Sequence, residues 1–128
     1  MLLDYFLMWK QATFRPHGRA TVIRVGRRSE EQSKFWEWMV ARELWRRRAL
    51  SGEEFPDSLS YWTGGGHEVD FVTTEKKLIE VKRGAASPLD FLWFPKSFPK
   101  RQLTVINEKF FETPALLGLT MEKFLLSS

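Results

Sequence analysis

Residues 67–82, HEVDFVTTEKKLIEVK, restrict the fold more than any other stretch of the chain. Two short runs of alternating apolar and charged residues flank a polar turn. Alternation at period two is the pattern of a half-buried strand, and two such runs joined by TTEKK make a hairpin. With the turn centred on Glu75, Asp70 falls opposite Glu80, the facing Cβ atoms about 4.5–5.5 Å apart. Val69, Phe71, Ile79 and Val81 are expected on the buried face, and Glu68, Asp70, Glu80 and Lys82 on the other. Carboxylates placed across from one another repel, so the pairing is costly unless a positive charge lies between them.

A divalent cation meets that need. Mg²⁺ accepts one or two carboxylates and completes its coordination with water and substrate phosphate, where it polarises the phosphoryl oxygen and activates water. Lys82, one residue pair along, is placed to orient an attacking water or to stabilise a pentavalent phosphate. A plainer reading fits the same pattern: solvent-facing Glu and Lys that alternate with buried residues and do nothing more.

The strongest helix follows Ser29, an N-cap with Gln32 at the capping-box spacing. Glu30 and Glu31 lie in its first turn and Arg46 to Arg48 in its last, complementing the helix dipole. Phe35, Trp36, Met39, Val40 and Leu44 share one half of the wheel, and Gly52 ends it. A strand over 58–64 runs into the Gly64–Gly66 turn before the hairpin. SPLDFLWF (87–94) is a short helix capped by Ser87, with Pro88 at its first position and Pro95 and Pro99 stopping it early. A strand over 102–107 and a terminal helix over 120–126 complete the pattern. Residues 20–26 read as a strand or a lead-in loop, and residues 1–14 as a short helix or strand. The order is helix, three strands, helix, strand and a tail: a small α/β domain spanning 1–128, with its core at about 29–126.

Composition narrows the function classes. There is no Cys, so disulfides, thiolate metal sites and Cys nucleophiles are excluded and a cytoplasmic setting is expected. The opening MLLDYFLMW carries Asp4 and is too short to span a bilayer, so neither a membrane segment nor a secretory signal is expected. Six Trp and eleven Phe are expected mostly in the core. Residues 1–50 hold 11 Lys/Arg against 5 Asp/Glu, and residues 51–128 hold 9 against 11. A basic half containing RVGRR (24–28) and RRR (46–48) suits a polyanion such as nucleic acid.

Asp70, nine intervening residues, then Glu80-Val81-Lys82 resembles the core motif of the PD-(D/E)XK nuclease superfamily, with IEVK its most specific part. Glu37, Val40 and Leu44 are similar to the E-x-x-V-x-x-x-L setting of that superfamily's first helix. FWEWMVAREL (35–44), YWTGGGHEVDFV (61–72) and GLTMEKFLL (118–126) together resemble the nuclease-like domain of unknown function at the C-terminus of bacterial and archaeal AAA-type ATPases. The resemblance covers roughly residues 30–126. GGGHEVD lacks the Gly-Lys-Ser/Thr ending of a phosphate-binding loop, and the segment after Lys82 is proline-broken where relatives carry a longer helix.

The resemblance implies a restriction-endonuclease-like core with a C-terminal helix. It also implies a metal-dependent phosphodiesterase, an endonuclease acting on DNA rather than RNA, with Mg²⁺ or Mn²⁺ as cofactor. Asp70 and Glu80 would hold the metal together with the Val81 carbonyl, Lys82 would position the water, and Glu37 would supply a carboxylate on or next to the metal. Glu43 competes for that last role; it falls in the apolar half of the helix, where a carboxylate needs a cation or hydrogen bonds, and an ion pair with a nearby arginine serves equally. Glu68 is an auxiliary candidate. Arg27, Arg28, Arg46, Arg47, Lys82 and Arg83 are the expected nucleic-acid contacts. His67 reads as a surface or hydrogen-bonded residue, since no second His or Cys stands at ligand spacing, and His17 receives no role. A second reading keeps the same fold as a nucleic-acid-binding or protein-interaction module without turnover, and a third uses exposed aromatics to form a homodimer.

Overall fold

Helix α1 runs Arg28–Leu50 in the computed structural model, which describes residues 28–52, 60–73 and 75–127. No Gly or Pro interrupts it. Val40, Ala41 and Leu44 are buried from it, with Trp36 and Trp45 packed beside them; residues four apart stack into the stripe that faces the sheet. The helix ends as expected. Gly52 adopts φ +81°, and the Ser51 and Gly52 N–H groups donate back to the Arg47 and Ala49 carbonyls, a turn that only glycine enters at little cost.

Two helix expectations are corrected. Ser29 lies inside α1 instead of capping it, because the helix already begins at Arg28. Phe35 is 47% exposed and leans on Trp38, ring centroids 6.1 Å apart. On the wheel it stands about 140° from Val40, outside the covered stripe. The segments 1–14 and 20–26 and Arg27 lie outside the described residues.

Six strands form one mixed sheet: β1 (Ser60–Gly64), β2 (His67–Val72), β3 (Leu78–Val81), β4 (Leu103–Ile106), β5 (Phe111–Glu112) and β6 (Leu116–Leu119). Their order is β1-β2-β3-β4-β6-β5. The β1–β2–β3 meander is antiparallel, β4 is parallel to both β3 and β6, and β5 closes the far edge antiparallel to β6. The hairpin register is the expected one, with Phe71 opposite Ile79 and Val72 opposite Leu78.

A crossover joins β3 to β4. Ser87 caps a 3₁₀ turn at Pro88–Phe91, its Oγ accepting from the Leu89 N–H at 3.3 Å and its own N–H donating to Asp90 Oδ2 at 2.8 Å. Helix α2, Phe94–Ser97, follows directly. Pro95 does not stop the helix, as expected of it, but sits in the first turn of α2, where an N–H would have no partner. The C-terminal helix α3, Met121–Leu126, is capped by Thr120.

Two cores lie on the two faces of the sheet. One joins Val40, Ala41 and Leu44 of α1 with Phe71, Ile79, Val81, Ile106 and Phe124 of α3. The other joins Val69, Leu78, Leu103, Val105 and Leu116 with Ala86, Phe91 and Phe94 of the crossover. Alternation along β3 sends Leu78 one way and Ile79 and Val81 the other.

Val69 and Phe71 were expected together and are separated. Pairing with β1 runs Ser60 to Val72 but Trp62 to Val69, so β2 holds one extra residue there. A bulge of this kind reverses the facing of everything beyond it. Strands β5 and β6 were not expected at all. Phe111 faces Gly118, and a Cβ on that glycine would lie 2.5 Å from the ring; the aromatic ring covers the glycine in place of a side chain.

Candidate metal centre and cleft

The ladder between β2 and β3 stops at the Phe71–Ile79 pair, and side chains take over. The Asp70 N–H donates to Glu80 Oε2 at 3.1 Å, and the Val81 N–H donates to Asp70 Oδ2 at 2.9 Å. Two carboxylates therefore occupy the gap where the strands splay, each holding a backbone donor of the other strand. The bulge in β2 produces this gap, because the extra residue breaks the step of the ladder. Both side chains are buried, Asp70 at 4% exposure and Glu80 at 3%.

Burial pushes the Glu80 carboxyl up, and Asp70 beside it adds to the effect, to about 9; Lys82 and the Asp70 N–H oppose the rise. Lys82 Nζ lies 3.1 Å from Glu80 Oε1 and is half exposed. Its partial burial pushes the ammonium down, but the carboxylates of Glu80, Asp70 and Glu68 outweigh that and raise it. With both carboxyls ionised the pair would carry one negative charge more than Lys82 neutralises, which is why Glu80 holds its proton in the absence of a further cation. A second cation has a reason to bind here.

Glu80 borders a cleft of about 420 Å³, which Asp70, behind it, does not line. Glu68 and Glu80 line it from β2 and β3, Lys82 and Arg83 from the segment that follows β3, and Asp90 and Trp93 from the crossover. Asn107, fully buried, lies behind the lining residue Ala86: Oδ1 accepts from the Ala86 N–H at 3.2 Å and from the Lys109 N–H at 2.8 Å, and Nδ2 donates to the Val105 carbonyl at 3.0 Å. The first of these bonds ties down Ala86, four residues after Lys82.

The remaining expected residues fall in different places. Glu68, exposed, joins the cleft with Glu80, Lys82 and Arg83. Val81 contributes its N–H to Asp70, and its side chain packs beneath α1. Glu37 is half-buried on α1 and does not line the cleft. Arg28 lies in the first turn of α1. Among the described residues, no three His, Asp or Glu side chains converge as a ligand group; Asp70 and Glu80 are the carboxylates that meet.

Glu43 takes the ion-pair role. Arg46 grips it at 2.8 and 2.6 Å and Arg47 Nε donates to it at 3.0 Å. The Arg46 bonds hold the Glu43 carboxyl below its ordinary value against the opposing effect of burial, with Arg47 assisting. Arg47 Nη2 also donates to the Phe124 carbonyl at 2.6 Å and to that of Ser127, and its guanidinium lies 4.6 Å from the Phe124 ring centroid. Glu43 thus holds Arg47 in place to bind α3. We expect Glu43→Ala to cost about 1.5–3 kcal/mol through the freed Arg47, read by urea denaturation; an unchanged midpoint would show that α3 docks without this link.

Sequence reasoning passed over Asp90, Trp93 and Asn107, and it read His67 as a surface or hydrogen-bonded residue, which is exposed in the structure. Asp90 was detectable as the third residue after a Ser-Pro cap. The others carry no local signal, since their roles arise from segments distant in sequence. Comparison of the chain with family models, with curated proteins and with solved structures finds no match.

Proposed function

We propose that this chain is a metal-dependent phosphodiesterase of PD-(D/E)XK type, with a restriction-endonuclease-like core, acting on DNA with Mg²⁺ or Mn²⁺. The observation that carries the reading is the buried Asp70–Glu80 pair where β2 and β3 part, with Lys82 at its mouth. The donor set suits a hard cation, being two carboxylates beside a cleft open to water and phosphate oxygen. Bound there, the ion would act as a Lewis acid toward a phosphoryl oxygen and lower the pKa of a bound water.

The chain's own residues do the rest. Asp70 and Glu80, once both ionised, would hold the ion, and the Val81 and Asp70 N–H groups keep the carboxylates oriented. Lys82, half exposed beside Glu80, would hold the attacking water or a phosphate oxygen with its ammonium. Arg83, exposed at the same cleft, adds a phosphate contact.

Millimolar Mg²⁺ or Mn²⁺ is expected to raise the melting temperature and to permit cleavage of plasmid or single-stranded DNA. An ion at a hundredfold excess over its Kd stabilises the fold by about 2.7 kcal/mol. Asp70→Ala should lose both effects. Cleavage that survives this substitution rejects the centre.

A second reading is favoured by Glu37, which does not line the cleft, and by the proline-broken crossover: the same fold used as a nucleic-acid-binding module without turnover. Substrate retarded on a gel but left intact in Mg²⁺ and in Mn²⁺ would support it.

A further inference from the structure

The cleft beside Lys82 has an aromatic side that phosphodiester chemistry does not use. The His67 ring lies on Trp93 with centroids 4.4 Å apart and planes 5° from parallel. Trp62 is also parallel to Trp93, at 6.0 Å and 5°. Phe98 meets Trp62 edge-on at 4.8 Å, and Phe94 meets Trp93 edge-on at 5.8 Å. The hairpin pairing explains the assembly. Trp62 pairs with Val69 and Gly64 with His67, so Trp62 and His67 stand on one face of β1–β2, and the crossover lays Trp93 along it. Of these rings, His67 and Trp93 line the cleft, and His67 is exposed.

Charge decides what this surface can hold. Lys82 and Arg83 share the cleft with Glu68, Glu80 and Asp90. Gripping a run of phosphates, in a duplex or a single strand, needs an excess of cations, which the cleft lacks; Lys82 and Arg83 suffice for one phosphate, so a preference has to come from the rings. Aromatic rings bind base faces, which a duplex keeps stacked and a single strand exposes. The volume of about 420 Å³ is that of a pocket for one small group, not a groove for a double helix. Leu89 and Leu92, 73% and 67% exposed, flank Asp90 and Trp93 on the crossover, where apolar side chains can keep a frayed base pair open.

We propose that the cleft seats an unpaired DNA nucleotide, its base stacked on the His67–Trp93 pair and its phosphate directed to Lys82 and Arg83. The proposal deepens the phosphodiesterase reading and rests on it for the choice of substrate, but its test does not use cleavage. In EDTA, fluorescence anisotropy compares a labelled single-stranded DNA oligonucleotide with a blunt duplex of the same length and sequence. The single strand is expected to bind roughly tenfold tighter and to quench tryptophan emission. His67→Ala and Trp93→Leu should each weaken single-strand binding roughly tenfold and leave duplex binding as it was. His67 is exposed, so His67→Ala decides the matter if Trp93→Leu fails to fold.

Equal affinity for the two DNAs, or wild-type binding by His67→Ala, would overturn the proposal. A ribo-oligonucleotide bound as tightly as the deoxy strand would support the same stacking seat without discrimination of the sugar. Cleavage without single-strand preference defeats this inference alone; single-strand binding by a protein that never cleaves defeats the phosphodiesterase reading alone.

Discussion

Glu80→Gln is expected to lower metal-dependent cleavage by about three orders of magnitude while stabilising the ion-free protein above neutral pH. The loss follows from removing an anionic ligand, since a bound metal supplies several kcal/mol of transition-state charge stabilisation. The gain follows from proton linkage. Glu80 titrates at about 9 in the fold against an ordinary value of 4.5. Between those values the folded chain keeps a proton that the unfolded chain has released. Stability therefore falls as pH rises through that window, by up to about 1.4 kcal/mol per pH unit. Lys82 does not blur the result, because its pKa is raised from 10.5 and its titration lies above the window. Glutamine has no proton to lose, so the variant should show a flatter profile. Mg²⁺ should flatten the profile of the wild type, by favouring the ionised pair, and leave the variant unmoved. Melting curves between about pH 5 and 9, with EDTA and with Mg²⁺, provide the measurement. Parallel profiles for the two proteins would remove the case for a strained acidic pair.

Asn107→Ala should cost about 2–4 kcal/mol, a large loss for a single polar side chain. Alanine strips the Ala86 and Lys109 N–H groups of their shared acceptor and removes the donor to the Val105 carbonyl. Ala86 is buried, so its N–H has little access to water, and an unsatisfied group of this kind costs about 1–3 kcal/mol. The Lys109 segment is exposed and recovers part of its loss from solvent. Ala86, which lines the cleft with Arg83, would loosen with it. Cleavage should therefore lose affinity for substrate, with KM rising more than kcat falls. Urea denaturation reads the stability, and a loss below about 1 kcal/mol would mean that water replaces the amide.

Both residues illustrate how unevenly the chain declares itself. The facing of Asp70 and Glu80 was legible once the turn was centred on Glu75, and Phe71 opposite Ile79 realises that register. Glu43 was legible as a carboxylate among apolar neighbours in need of a cation, and Arg46 and Arg47 supply one. The bulge was not legible. Strict alternation placed Val69 with Phe71, and the extra residue in β2 sends them to opposite cores. Strands β5 and β6 escaped notice because one has two residues and the other contains Gly118, whose place is filled by the ring of Phe111 across the pair.

The chain alone determined the long helix, the hairpin and the opposition of two acids, because each depends on periodicity or turn chemistry within a few residues. The tertiary structure alone decided that those acids are buried in a gap between splayed strands, that Asn107 anchors the loop after Lys82, and that His67 and Trp93 meet at the cleft. Such features join residues far apart in sequence, and their energies exist only once the crossover has packed against the sheet.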